Sequence, residues 1–292
     1  AFECVMHKFH SRVLVIFTLC RRALHTQEDP IPSLMHLIGM DKRYTPAIAG
    51  TSAAILVTTA MDANGLAVFS ALPLIPLTAL LWYLQKFSRA EIGLAVGHVR
   101  GYGLAVSYPL IVLGLAAGLA FAAGATDTTE TDWNKTFINI GLMSSIGIVM
   151  GLVTEEGFFR GWLWATLQRA GQSDMQVLLW TSAAFTAWHV SAIALDTGFD
   201  LPAAEIPVYL VNAMLLGLIW GMLRMLTGSI VVPSVSHAVW NGVDYPLFGF
   251  GEKVGALGIQ QTHIYGPEVG LVGIVLNGLF AAALYRVIKR GQ

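Results

Sequence analysis

Long apolar runs separated by short polar segments dominate the pattern along this chain. A run of about 18 or more apolar residues can cross a bilayer as a helix. Such runs predict spans at about 46–63, 65–85, 101–124, 136–154, 176–195, 206–226, 229–246 and 269–288. Segment 155–170 continues from the fourth span, and the alternation typical of membrane barrel strands is absent. We therefore predict an all-α fold, a polytopic integral membrane bundle of about eight transmembrane helices.

The N-terminal segment, residues 1–45, departs from this pattern. Its apolar run Val13–Cys20 is bounded by arginines and is too short to span a bilayer. We expect this segment to form a short interfacial helix on the cytoplasmic side. Residues 46–292 show no internal repeat and no soluble insertion, so we expect them to form one helical membrane domain.

Composition and charge agree with a membrane protein. The chain is 55% hydrophobic and 12% charged, against about 25% charged residues in soluble domains. The net charge of −1 gives no indication of a nucleic-acid partner. Basic residues fall in alternate loops and acidic residues in the others, so we expect both termini to face the cytoplasm. The expected location is the cytoplasmic membrane of a prokaryote.

A charged cluster interrupts the apolar sequence after the fourth span. It consists of Glu155, Glu156 and Arg160, with no other charge between Phe137 and Leu167. On a helix, Glu156 and Arg160 are four residues apart and can pair. Glu155 points about 100° away from Glu156. We therefore expect a supporting Glu156–Arg160 pair, with Glu155 left to face a cavity.

Two later spans contribute polar side chains at helical spacing. His189 lies late in the fifth span, and His237 lies one turn before Asn241 in the seventh. A glutamate and two histidines are the groups needed to activate water. Glu155, His189 and His237 are also candidate ligands for a divalent metal such as zinc. Asn241 beside His237 could supply donors to an oxyanion.

Each of these elements also has a purely structural interpretation. A single histidine in a span more often makes a hydrogen bond between helices, and a lone Glu–Arg pair can be a structural link. The pair His237 and Asn241 could likewise join two helices. Sequence alone does not establish that these side chains meet.

The motifs nevertheless resemble those of a known family, the CAAX prenyl endopeptidase and bacteriocin-processing (CPBP) intramembrane proteases. The family motif EExxxR matches Glu155, Glu156 and Arg160, and FxxxH matches Phe185 and His189. The third motif, HxxxN, matches His237 and Asn241. Motif order agrees, and the resemblance covers about residues 136–245. The chain has no HExxH, GxGD or GxSG motif, which disfavours other intramembrane protease classes.

This resemblance implies a role for each matched residue. Glu155 would be the general base, aided by His189, and His237 and Asn241 would stabilise the oxyanion. Glu156 and Arg160 would support the site. The resemblance leaves a metal requirement open, so a zinc metalloprotease remains one expectation, although the neutral Asn241 is a poor zinc ligand.

The implied activity is intramembrane hydrolysis of a peptide bond, near the C-terminus of prenylated CaaX proteins or in a peptide precursor. The implied partners are membrane lipid and a protein or peptide substrate. Two alternatives stay open: a non-catalytic immunity or scaffold protein of the same fold, and a transporter with a polar site at the membrane midplane. A transporter would be expected to show inverted repeats or matching broken helices, which the sequence does not show.

Overall fold

The computed structural model describes residues 41–199, 201–251 and 253–291. It divides into two units, Ala1–Thr45 and Pro46–Gln292. In the first unit, Asp41 caps a short 3-10 helix, Lys42–Tyr44, and pairs with Arg43. The interfacial helix predicted around Val13–Cys20 lies outside the described residues.

Helices form almost all of the second unit. In chain order they are α1 (Thr45–Asp62), α2 (Leu74–Gln85), α3 (Val99–Ala122), α4 (Trp133–Val153), a π-helical segment (Glu156–Leu163), α5 (Trp164–Arg169), α6 (Asp174–Trp188), α7 (Val190–Ala194), α8 (Ile206–Thr227), α9 (Val231–Phe248), α10 (Thr262–Tyr265) and α11 (Leu271–Gly291). Two short antiparallel strands, β1 (Gly249–Phe250) and β2 (Lys253–Val254), follow α9. The predicted all-α membrane fold is confirmed.

Six segments of the described chain are long and apolar enough to cross a membrane. They are Ala67–Gln85, Val99–Ala122, Trp133–Arg169, Asp174–Ala194, Ile206–Thr227 and Leu271–Arg290. The other two predicted spans, 46–63 and 229–246, form helices α1 and α9 but are not among the six. Four threonines and one serine dilute the apolar character of α1, and α9 carries His237, Asn241 and Asp244. The continuation of the fourth span through 155–170 is present, because Trp133–Arg169 runs as one segment.

Helix boundaries follow local capping chemistry. The Ser173 side chain accepts the Gln176 amide at the start of α6, and the Gln176 side chain returns a bond to the Ser173 amide, which completes a capping box. Asp132 caps α4 in the same way through the Lys135 amide. Gly228 ends α8 in the left-handed conformation, with φ of 66°. These local signals separate helices that would otherwise merge into one apolar run.

Close packing between α4 and α9 sets the position of the third motif. A Cβ added at Gly242 would lie 2.1 Å from Ser144 Oγ and 2.7 Å from the Ser144 amide nitrogen. One turn away, Gly147 lies directly against Ala238. Small residues allow membrane helices to approach closely and gain van der Waals contact where water supplies no hydrophobic drive. The opposite side of α9 is thereby held toward the interior of the bundle.

The loop between α2 and α3 closes the end of the bundle at which α9 begins. The Ile230 amide donates to Gly93 O at 2.9 Å, and the Ser229 hydroxyl donates to Ala95 O. Outside the bundle, Glu91 accepts from the Ser88 amide and hydroxyl and pairs with Arg169 at 2.7 Å. These contacts hold the pKa of Glu91 below its ordinary value. The contribution of these contacts to the stability of the folded protein is present at neutral pH. It is lost as the pH falls through the pKa of Glu91 in the folded state.

We expect Gly242→Ala to destabilise the protein by about 1–3 kcal/mol, because the added methyl group has no space beside Ser144. Thermal unfolding of the purified protein in detergent measures this change. Gly141→Ala in α4 is the matched control, because nothing lies within 4 Å of its added Cβ. Equal thermal stability of the two variants would contradict the close α4–α9 contact.

Candidate active site

The long helix changes its winding where it carries the charged cluster. α4 ends at Val153, Thr154 leaves helical geometry with a ψ of −97°, and the chain then continues as the π-helical segment. π-helical turns are rare and occur frequently at functional sites. On either side of this change, Glu155 keeps 17% of its side chain exposed, whereas Glu156 is fully buried. The two adjacent carboxylates therefore face different surroundings.

Arg160 neutralises Glu156 inside the bundle. Its Nη1 lies 3.3 Å from Glu156 Oε1, and both side chains are fully buried. Nη2 donates to Gly217 O on α8 at 3.2 Å. The guanidinium carbon lies 4.3 Å from the centre of the Phe185 ring, within cation–π range. The predicted Glu156–Arg160 pair is present, and it links the π-helical segment to α6 and α8.

A second arginine contacts the backbone of the π-helical segment. Arg224 on α8 donates from Nε to Arg160 O at 3.2 Å and from Nη2 to Glu91 O at 3.1 Å. Buried backbone carbonyls need a donor, and a π-helical turn leaves the regular α-helical ladder that would supply it. Arg224 thus stabilises the backbone that presents the charged cluster.

His189 sits where α6 ends and α7 begins. Its Nδ1 lies 2.8 Å from Phe185 O, one turn earlier. A carbonyl oxygen only accepts hydrogen bonds, so Nδ1 is the donor and a neutral ring presents its lone pair at Nε2. The spacing of the FxxxH motif therefore has a structural explanation, because the backbone carbonyl of Phe185 orients the imidazole of His189.

His237 is held from two sides. Its Nδ1 lies 3.0 Å from Glu156 Oε1, and its ring stacks on Trp220 with 3.9 Å between ring centres. Because an ionised carboxylate only accepts, Nδ1 of His237 donates to Glu156. Arg160, Glu156 and His237 thus form one buried chain of charged and polar contacts.

Glu155 lies between the two imidazoles. Its Oε2 is 3.9 Å from Nε2 of His189 and 3.9 Å from Nε2 of His237. This oxygen is buried, and no hydrogen-bond partner for it exists among the described residues. A separation of 3.9 Å is too long for a direct hydrogen bond, and a water molecule in an adjoining cavity could contact the carboxylate and an imidazole at once.

A cavity of about 80 Å³ lies against these groups, with room for more than one water molecule. Its walls come from five parts of the chain: the start of the π-helical segment, α6, α8, α9 and the loop before α11. The lining residues are Glu155, Phe185, His189, Tyr209, Ala213, Leu216, Trp220, His237, Asn241, Tyr245 and Glu268. The structure therefore brings Glu155, His189, His237 and Asn241 to one cavity and places Glu156 and Arg160 behind its wall.

Three polar lining residues were not expected from the sequence. Tyr245 lies one turn after Asn241, so extending the spacing of the third motif by four residues would have found it. Tyr209 lies on α8, which contributes none of the three motifs. Glu268 lies 27 residues after Asn241 in the loop before the last span, and no periodicity connects it to the other residues.

Glu268 is fixed in place by several hydrogen bonds. Trp240 Nε1 donates to Glu268 Oε1 at 2.8 Å, and the Asn212 side chain donates to Glu268 O at 2.9 Å. Asn277 in turn donates to Asn212 Oδ1 and accepts from the hydroxyl of Tyr108. Burial raises the pKa of Glu268 to about 6, and the bond from Trp240 opposes the rise.

The candidate zinc ligands do not form a recognisable metal centre. Within residues 41–199, 201–251 and 253–291, no three His, Cys, Asp or Glu side chains are grouped so that they could hold a metal ion. His237 uses one ring nitrogen on Glu156, and Asn241 contributes a neutral amide. Zinc binding by Glu155, His189 and His237 stays a prediction from the sequence, and we assign no chemical step to a metal.

The fold and the cavity define a polytopic helical membrane protein with a carboxylate–imidazole centre inside its bundle. Residues 137–243 match a protein family described as type II CAAX prenyl endopeptidase Rce1-like. This match confirms the resemblance predicted from the three motifs, and it covers the segment that carries all three. Glu268 lies beyond the matched segment. No curated protein matches the chain.

We expect Arg160→Met to destabilise the protein by about 3–5 kcal/mol, because it removes the guanidinium that neutralises the fully buried Glu156 and leaves only His237 in contact with that carboxylate. The double variant Glu156→Gln/Arg160→Met removes both charges and should recover part of this loss. Thermal or denaturant unfolding in detergent compares the two. A double variant at least as unstable as Arg160→Met would show that the ion pair is not what the fold requires there.

Proposed function

We propose that this protein is an intramembrane endopeptidase that hydrolyses a peptide bond with water activated by Glu155 and His189. The observation that carries the proposal is the position of Glu155 Oε2, 3.9 Å from Nε2 of both His189 and His237 at one cavity. An unpartnered carboxylate oxygen between two imidazoles is suited to holding a water molecule and taking its proton. The match of residues 137–243 to a protease family supports a peptide or protein as the substrate.

In the proposed mechanism, Glu155 and His189 on one wall of the cavity activate the water molecule. Because Nδ1 of His189 donates to Phe185 O, Nε2 is free to accept a hydrogen bond from the same water that binds Glu155. Glu155 takes a proton as the water oxygen attacks the substrate carbonyl carbon. The products of this step are a protonated Glu155 and a tetrahedral intermediate with a negatively charged oxygen.

Stabilisation of that oxygen falls to His237 and Asn241, one turn apart on α9. Nδ1 of His237 already donates to Glu156, so Nε2 can donate to the oxyanion only when the ring is doubly protonated. Two carboxylates, Glu155 and Glu156, face this ring and favour the imidazolium. The side-chain amide of Asn241 supplies a second donor. This pairing explains why the supporting Glu156 belongs to the site.

Collapse of the intermediate completes the reaction. The protonated Glu155 returns its proton to the leaving nitrogen as the C–N bond breaks, which leaves a carboxylic acid and an amine and regenerates the base. Arg160 takes no part in proton transfer in this scheme. Its role is to neutralise Glu156 and to fix the helices that carry His189 and His237.

The proposed substrates are prenylated CaaX proteins, cleaved after the lipidated cysteine, or a peptide precursor. The family match supports the first class. In the proposed orientation both termini face the cytoplasm of a prokaryotic cell, and the lipid of the substrate lies between helices. A transporter would be expected to transport ions independently of peptide cleavage. A non-catalytic scaffold would keep its function without Glu155.

We expect Glu155→Gln to lower kcat for peptide cleavage by about 10²–10⁴-fold, because the amide cannot accept the proton of water. The measurement uses the purified protein in nanodiscs and an internally quenched peptide with a farnesylated CaaX end, beside the same peptide without the lipid. Thermal unfolding serves as the control for folding. Cleavage at the wild-type rate by folded Glu155→Gln would refute the protease assignment.

Asn241→Ala should lower kcat by about 10²–10³-fold with little change in KM, because the lost donor acts on the oxyanion and not on the ground-state substrate. Steady-state kinetics with the same peptides separates the two constants. Asn241→Asp tests the charge at this position, since a carboxylate beside the oxyanion repels it. A variant that raises KM alone would assign Asn241 to substrate binding.

Zinc dependence is tested separately from cleavage. Metal analysis of the purified protein, before and after dialysis against a chelator, reports bound zinc directly, and Glu155→Gln and His237→Ala report whether these residues hold it. Because the described residues contain no three-ligand group, we expect less than one equivalent of zinc. Stoichiometric zinc lost in both variants would show that these residues are ligands after all.

A further inference from the structure

The cavity is lined by one carboxylate, Glu268, that the proposed chemistry does not use. Glu155 and Glu268 both line it, and no lysine or arginine does so. Asp244 lies on α9 one turn from Asn241, is only 3% exposed, and is close enough to Glu268 for the two carboxyl groups to interact electrostatically. Across the part of the chain that the structure describes, no ion pair involves Glu268 or Asp244.

Other buried carboxylates in the bundle each have at least one hydrogen-bond or ionic partner, although one oxygen of Glu156 and one of Asp62 have none. Glu156 has Arg160 and His237, and the carboxylate of Glu205 accepts the Thr262 hydroxyl at 3.0 Å. For Asp244, Oδ1 is buried with no hydrogen-bond partner, and among the described residues no ion pair compensates the carboxylate. Burial of an unpaired charge costs several kcal/mol, so a pair of neighbouring carboxylates of this kind is suited to receiving a cation.

The geometry of Glu268 also suits it to bind a ligand that occupies the cavity. Trp240 occupies Oε1 with a 2.8 Å bond, and Asn212 holds the backbone carbonyl. The side chain is 91% buried, since only 9% of it is exposed, yet it forms part of the cavity wall. The carboxylate is therefore preorganised beside the catalytic groups, with Oε2 left over for a ligand, and binding costs little ordering entropy.

We propose that Glu268, with Asp244 behind it, binds the basic side chain of a lysine or arginine in the peptide substrate, on the side of the scissile bond that faces Glu268. An ammonium or guanidinium group would donate charge-assisted hydrogen bonds to Oε2 of Glu268 and neutralise its carboxylate. The proposal rests on the proposed function, because it assigns specificity to the same cavity. It makes Glu268 a specificity-determining residue supplied by the loop before α11.

A peptide series tests this proposal. Internally quenched peptides of one parent sequence carry lysine, glutamine or glutamate at each position within four residues of the scissile bond. For the wild-type protein we expect one position where lysine exceeds glutamine in kcat/KM by about tenfold or more and where glutamate is the poorest. Glu268→Gln should reduce the ratio of lysine to glutamine at that position to near one, and Glu268→Lys should favour glutamate.

The matched control is Glu205→Gln, which neutralises another buried carboxylate that does not line the cavity. It should leave the lysine-to-glutamine ratio unchanged. Glu268→Gln retains an oxygen that can accept from Trp240, so a structural role alone would not change the ratio. Asp244→Asn provides a second variant if Glu268→Gln folds poorly, and it should lower the ratio in the same direction.

Two results would overturn the proposal. One is a wild-type protein with no preference for lysine at any position. The other is a preference that survives in folded Glu268→Gln and Asp244→Asn, which would assign the carboxylates to a shared proton or another cation. Failure of the proposed function looks different, because Glu155→Gln would then leave the cleavage of every peptide intact.

Discussion

The neutralisation of Glu156 by Arg160 is the interaction on which the rest of the site depends. Both side chains are fully buried in a bundle with few other charges, so neither can remain without the other. The guanidinium reaches Gly217 O and the face of Phe185, and the carboxylate reaches His237. One ion pair therefore joins the π-helical segment, α6, α8 and α9. Every residue to which we assign a catalytic role lies in these elements or directly at their ends.

That ion pair also divides the polar groups of the bundle into two sets. Glu156, Arg160 and Nδ1 of His237 bind one another behind the cavity wall. Glu155, Nε2 of both histidines and Glu268 face the cavity with bonding capacity to spare. The change of helical winding between Val153 and Glu156 makes this division possible, because it places adjacent glutamates in different surroundings. The proposed reaction uses residues of the second set, and the residues of the first set hold them in position.

Much of this arrangement was predictable where the information is local. Eight apolar runs predicted helices, and each of them is helical, because backbone groups in a bilayer must be satisfied within the segment. The i,i+4 spacing of Glu156 and Arg160 and of His237 and Asn241 predicted which side chains share a face. Within the part of the chain that the structure describes, six segments rather than eight are long and apolar enough to cross a membrane, because polar residues dilute α1 and α9. α9 is polar because it carries part of the site.

The sequence by itself determined the class of protein, the helices and the three motifs, since hydropathy and helical periodicity act over a few turns of chain. Only the tertiary structure decided that Glu155 stands 3.9 Å from both histidines, because that distance depends on the contact of Gly242 with Ser144 and on the altered winding after Val153. It also decided that Glu268 and Tyr209 join the cavity. Their contributions come from elements without a motif, brought there by a hydrogen-bond network whose members are up to 169 residues apart.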